Sequence, residues 1–89
     1  MKCIITVLGN DKVGIIAKVC TYLSEANINI LDISQTIVNG YFNMMMIVDI
    51  TNVSKSMEIV DDEIKELGKD LGVIISMQHE DIFRSMHRI

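Results

Sequence analysis

The chain contains no proline and no tryptophan, and only two phenylalanines and two tyrosines stand among its 89 residues. Without proline, no element is interrupted by a residue lacking a backbone donor, and glycine does the punctuating. Without aromatic bulk the interior must be aliphatic, built from Ile, Val, Leu and seven Met within a hydrophobic content of 49%. Cations are scarce as well. Eight Lys and Arg stand against twelve Asp and Glu, a net charge of −4, and the cations are scattered along the chain. A nucleic-acid surface needs clustered cations facing phosphate, so no nucleic-acid partner is expected. Two cysteines, Cys3 and Cys20, make no disulfide framework and read as reduced, buried side chains of a cytoplasmic protein. The apolar run Cys3–Leu8 is too short, and too close to the N-terminus, for a signal sequence or a membrane span.

A chain of this length is one domain, which buries about 60–65% of its unfolded surface. Its apolar content is high for so little volume, which predicts that part of it lies in a homo-oligomer interface, a dimer or higher.

The order of elements follows from periodicity. Lys2–Leu8, rich in β-branched residues, predicts a strand. Ile16, Val19, Cys20 and Leu23 recur at helical spacing and predict a helix over Val13–Ala26, with Asn27 suited to a left-handed C-terminal cap. Ile28–Val38 predicts a second strand, with Leu31, Ile33 and Ile37 on one face and Ile30, Asp32, Ser34 and Thr36 on the other. Asn39-Gly40 is a two-residue hairpin signal. The returning strand, Tyr41–Thr51, places Phe42, Met44, Met46, Val48 and Ile50 on one face. Ser54 or Ser56 can cap a second helix, whose stripe is Met57, Val60, Ile64, Leu67 and Leu71, and Gly72 stops it. The acidic outer face of that helix reads as a solvated surface. Val73–Gln78 predicts a fourth strand. The tail from His79 to Ile89 carries Ile82, Phe83, Met86 and Ile89 at helical spacing and is expected to fold back as a short amphipathic helix.

Strand, helix, hairpin of strands, helix, strand predicts an α+β, ferredoxin-like βαββαβ sandwich: a four-stranded antiparallel sheet with both helices on one face. That fold hosts many activities, so side chains must decide among them. An RNA-recognition module would carry aromatic side chains on its central strands, and the first strand has none. A metal carrier of this shape would place Cys-x-x-Cys at the first strand–helix turn, which has no cysteine. His79, Glu80, Asp81 and His87 form a polar cluster, but the i, i+4 histidine pair of a helix-borne metal site is missing. No nucleophile–base pair is visible. No enzyme activity, metal or cofactor is expected.

The stretch GNDKVGI, Gly9 to Ile15, remains. A helix N-terminus exposes unpaired N–H groups and a partial positive charge, and so attracts carboxylates. Asp11 either caps those groups or helps hold a small ligand, and one residue can do both. For the interface, Ile15 and Tyr22 lie seven apart on the first helix, and Met45 and Ile47 give apolar surface on the open sheet face. Ile82, Phe83 and Met86 of the tail add to that expected interface.

The βαββαβ order, the turn Asp11-Lys12-Val13-Gly14-Ile15 and Asn29 within Asn27-Ile28-Asn29-Ile30 together resemble an ACT domain over about Lys2 to Gln78. The motifs Asp32-Ile33-Ser34-Gln35-Thr36, Gly40-Tyr41-Phe42, Met44-Met45-Met46 and His79-Glu80-Asp81-Ile82-Phe83 are similar to one subgroup: small stand-alone ACT proteins of bacteria and archaea related to regulators of the glycine cleavage system. The resemblance implies a regulatory module that binds a small ligand, typically an amino acid, where two chains meet. It places the ligand between the first strand–helix loop of one chain and the second strand of its neighbour. By position it implies ligand-binding roles for Asp11, Gly14 and Asn29, with the Val13 backbone beside them. Many amino-acid-binding members carry Asn at the position of Asp11 and Pro at that of Val13. The carboxylate found here would attract a ligand's ammonium group and repel its carboxylate. The competing expectation is a protein–protein interaction module with a vestigial ligand loop, which would engage its partner through the tail or an open sheet edge.

Overall fold

In a computed structural model of the chain, residues 1–10 and 14–79 are described. Their order is β1 (Lys2–Asn10), α1 (Ile15–Glu25), β2 (Asn29–Val38), β3 (Tyr41–Asp49), α2 (Met57–Leu71) and β4 (Val73–His79). The strands form one antiparallel sheet in the order β2-β3-β1-β4, so the first strand of the sequence is central and β2 and β4 are the edges. This is the expected ferredoxin-like sandwich, with α1 and α2 covering one face. The tail residues Ile82, Phe83 and Met86 lie outside the described residues, as do Asp11 and Val13.

The core is the helix-side face of the two central strands plus one stripe from each helix. Cys3, Ile5 and Val7 of β1 pair with Val48, Met46 and Met44 of β3, so all six point the same way, and all are fully buried. Ile15, Val19 and Leu23 of α1 and Val60 and Ile64 of α2 close over them. As the composition predicts, Phe42 is the only aromatic residue among the buried ones described.

The terminators act as their chemistry dictates. Asn27 takes a left-handed φ of 61° after α1, and Asn39 and Gly40 are both left-handed at the hairpin, with φ of 51° and 80°. Of the two candidate serines, Ser56 caps α2: its hydroxyl accepts from the Ile59 N–H at 3.4 Å.

β2 departs from the expected alternation. Ile30 pairs with Val48 and Asp32 with Ile47, so Leu31 is an extra residue in a bulge. Ile30 is therefore turned to the helix side with Val48, while Asp32 and Ser34 stay on the open face with Ile47 and Met45. Strict alternation had grouped Ile30 with Asp32 and Ser34, and the bulge corrects it.

The helices are joined by one polar cluster. The Tyr22 hydroxyl donates to Glu63 Oε1 at 2.9 Å, Lys55 Nζ donates to the same oxygen at 2.7 Å, and the Lys55 ammonium lies 5.6 Å from the centre of the Tyr22 ring. Burial, then Glu63, pushes the Tyr22 phenol well above its ordinary value. The hydrogen bonds from Lys55 and Tyr22 hold Glu63 below its ordinary value of 4.5. A carboxyl depressed in the folded state contributes stability above its unfolded pKa and loses it as pH falls through the folded value. The melting temperature should therefore decline below about pH 4.5, and less steeply in Glu63→Gln. Both proteins melted across that range test it; parallel curves would remove Glu63 from the account.

Candidate functional site

Among the described residues, a groove of about 540 Å³ lies between the C-terminal half of α1 and the start of β2. Cys20 and Ser24 line it from α1, Asn27 and Ile28 from the turn, Asn29 and Ile30 from β2, with Asp49 and Asn52 at its far wall. Its floor is pinned by backbone and side-chain hydrogen bonds. The Ile28 N–H donates to the Leu23 carbonyl at 2.9 Å, Asn27 Nδ2 to the Asn52 carbonyl at 2.8 Å, and the Ser54 N–H to the Ala26 carbonyl at 3.0 Å. The α1–β2 turn and the segment after β3 are thereby one unit.

Asp49 is the only charged residue of that lining. It lies opposite Asn29 in the β2–β3 register. Its Oδ1 accepts from the Thr51 hydroxyl at 2.6 Å and from the Thr51 N–H at 3.0 Å, and these bonds keep its carboxyl below the ordinary range. At neutral pH the groove thus presents one carboxylate amid neutral amides and a hydroxyl. The N-terminal ammonium of Met1 already lies 3.5 Å from Asp49 Oδ1, so the lining combines hydrogen-bonding amides with a carboxylate that has one cation beside it.

Of the predicted ligand residues, Asn29 is exposed at this groove. Gly14 stands at the N-terminus of α1, beside the end of β1, and its carbonyl accepts from the Lys18 N–H at 3.0 Å. The two are at opposite ends of the sheet. Asn29 and Lys2 both pair with Asp49, whereas Asn10 pairs with Tyr41. Eight steps of strand separate Lys2 from Asn10, about 27 Å. Within one chain Gly14 and Asn29 do not meet. A site that uses both needs two chains, the arrangement the sequence resemblance implies.

Gly14 also answers a demand of the backbone. Its φ is +90°, and a Cβ built there would meet no atom within 4 Å. Backbone conformation, not crowding within the chain, requires the glycine. Gly14→Ala should cost about 1–2 kcal/mol in chemical denaturation, and Gly14→Asn less, because Asn tolerates the left-handed region. Equal costs would mean that conformation is not what selects glycine.

For the expected interface residues the outcome is mixed. Ile15 is only 2% exposed and packs in the core of its own chain, so its assignment to an interface is corrected: an enclosed side chain offers no surface to another chain. Tyr22 is half-buried and committed to Glu63. Met45, 43% exposed, and Ile47, half-buried, lie on the open face of the sheet. The groove residues Cys20, Ser24, Asp49 and Asn52 were not anticipated. The i, i+4 spacing of Cys20 and Ser24 on the flank of α1 was the available signal. Among the described residues no group of three or more His, Cys, Asp or Glu side chains is arranged to hold a metal ion, and no helix is long and apolar enough to cross a membrane.

A βαββαβ sandwich with a polar groove at the mouth of an edge strand has the architecture of a small ferredoxin-like binding module. The chain belongs to the ACT domain family, whose model matches residues 2–78. It is 60% identical to a UPF0237 protein of Bifidobacterium longum, over 99% of this chain and 98% of that one. Among solved structures, it superposes on an ACT domain protein from Streptococcus pneumoniae with a TM-score of 0.82 and 41% identity, covering 93% of each chain. A chain described as a glycine cleavage system transcriptional repressor superposes with a TM-score of 0.72, covering 86% of this chain and 44% of that one. At 24% identity that last likeness speaks for the fold alone. ACT domains are typically regulatory and ligand-binding.

Proposed function

We propose that this protein is a non-enzymatic regulatory module that binds a small zwitterion, an amino acid, between two copies of the chain. The observation that carries the reading is the complementary chemistry of two separated ends. The groove end offers Asn29 and Asp49, whose carboxylate holds the chain's own N-terminal ammonium at 3.5 Å, a place that a ligand's ammonium would take over. The loop end offers the N-terminus of α1 at Gly14, suited to a carboxylate. By the family's pattern the Val13 backbone joins the loop half, and Asp11, which repels a carboxylate, would reach the ligand's ammonium instead. The protein acts in the cytoplasm as a homo-oligomer. Its mechanism is linkage: a ligand shared between chains favours the assembled state over the separated one, and a partner reads the difference.

The test is a thermal-shift screen of the purified protein against the common amino acids, with Asp11→Ala and Asn29→Ala alongside. A ligand at 100 times its dissociation constant adds about 2.7 kcal/mol. For a domain of this size that corresponds to a rise of roughly 10 °C or more. One amino acid should produce the rise in the wild type, and both substitutions should abolish it. A flat response to every amino acid in large excess would overturn free amino-acid sensing and turn the search to protein partners.

A further inference from the structure

Ile4 is buried on the side of the sheet that the helices leave open. Cys3, Ile5 and Val7 of β1 face the helices, so Ile4, Thr6 and Leu8 face away from them. No described helix lies on that face, yet Ile4 is only 8% exposed. Among the described residues, every other buried apolar side chain belongs to the helix-side core, and Ile4 alone stands outside it.

Its neighbours in the sheet do not account for this. Ile4 stands between Ile47 of β3 and Gln78 of β4, which flank it but leave its outer tip uncovered. Leu8, on the same strand and face and flanked in the same way by Asn43 and Ile74, is 49% exposed. Exposure across the face falls in one direction. Ile74 is 68% exposed and Met45 43%, Ile47 is half-buried, and Ile4 is enclosed. The cover therefore lies at the end of the sheet where β4 finishes at His79, beside Cys3.

Two segments of the chain lie outside the described residues. Residues 11–13 leave β1 at Asn10, six strand steps or about 20 Å from Ile4. Residues 80–89 start from His79, one strand away from β1, a spacing of about 4.8 Å. Three residues reach at most about 10 Å, enough to set Ile82 over Ile4 or, one strand further, over Ile47. The composition of the segment suits that seat. At about 100° per residue, Ile82, Phe83, Met86 and Ile89 fall within one arc of about 120°, with Arg84 and Arg88 on the opposite side.

We infer that residues 80–89 pack across the open face of their own chain's sheet, with the apolar arc seated on Ile4 and Ile47. Ile4 is enclosed within a single chain, so the cover is not borrowed from a second copy. Ile47, Ile82, Phe83 and Met86, each expected at an interface between chains, then meet inside one chain. The homo-oligomer must assemble through another surface, and a partner that captures the tail must first lift it from Ile4. Nothing in this packing depends on the groove or its ligand.

Thiol labelling tests the cover in a Cys20→Ser background, where Cys3 is buried. Ile4→Cys should react with an aromatic disulfide reagent at least about tenfold more slowly than Leu8→Cys. Adding Phe83→Asp and Met86→Asp should remove most of that protection, with the circular dichroism spectrum retained. Equal labelling at positions 4 and 8, or protection at position 4 that survives both aspartates, would overturn the inference. If the aspartates unfold the protein, a measurement on the unaltered chain decides: nuclear Overhauser contacts between the Ile4 methyl groups and side chains from Ile82 onward. In a mixture of isotope-labelled and unlabelled chains, those contacts should arise within labelled chains only. Their absence, or their appearance between chains, would equally reject the packing.

Discussion

Leu23→Ala is expected to lower the unfolding free energy by about 2–5 kcal/mol. Leu23 is fully buried, the last of three α1 residues (with Ile15 and Val19) that enter the core. An eleven-residue helix is marginal by itself, so α1 depends on those anchors. The deletion removes three methylene-scale groups and leaves a hole beside Val19 and Ile28, whose backbones are fixed in helix and turn. A small domain has only about 5–15 kcal/mol in total, so a large share would vanish with one side chain. Urea denaturation checks it: the midpoint should fall with the slope unchanged. A loss under about 1 kcal/mol would mean that the helix collapses onto the sheet without cost.

Gly68→Ala should destabilise the protein, against the sign that helix propensity gives. In an exposed helix this change would gain about 1 kcal/mol. At position 68 a Cβ would lie 2.9 Å from the Val73 carbonyl oxygen and 3.2 Å from Ile75 Cγ1. The carbonyl is backbone, and it belongs to a strand that follows α2 after a single residue, Gly72, so it has little room to retreat. Overpacking of this kind costs about 1–3 kcal/mol. Lys69→Ala, one position on and exposed, is the control and should be nearly neutral. If Gly68→Ala melts above the wild type, α2 and β4 are not in close contact there.

The sequence carried much of the architecture because its patterns are local. The alternation in Tyr41–Ile50 identified the buried set Phe42, Met44, Met46, Val48 and Ile50 without reference to any other strand, and all five are buried. Asn39-Gly40 and Gly72 announced themselves through the left-handed backbone they adopt. What could not be read depends on partners. A bulge at Leu31 exists only relative to β3, so the side taken by Ile30 was beyond reach of alternation alone. Ile15 and Ile16 are adjacent at the start of a helix, and the azimuth that puts Ile15 in the core is fixed by where α1 lands on the sheet. The groove belongs to no motif, because Ser24, Asn29 and Asp49 come from three elements and meet through tertiary packing. Likewise the sequence of β2 says nothing of its being an edge.

The strand order has a kinetic corollary. β1 is made first and is satisfied last: its neighbours are β3, paired from Lys2 to Asp49, and β4, paired from Cys3 to His79. Only the β2–β3 hairpin joins strands adjacent in sequence. Closing such distant pairs makes folding slow for the size of the chain, since the entropy of the intervening loop is lost before any contact rewards it. On a ribosome the hairpin is the first piece of sheet able to form, while the central strand gains its first neighbour only with β3 and its second only with β4, near the end of the domain. Through that interval the apolar face of β1, Cys3, Ile5 and Val7, is uncovered, and a chaperone that reads short aliphatic segments would find its binding site there.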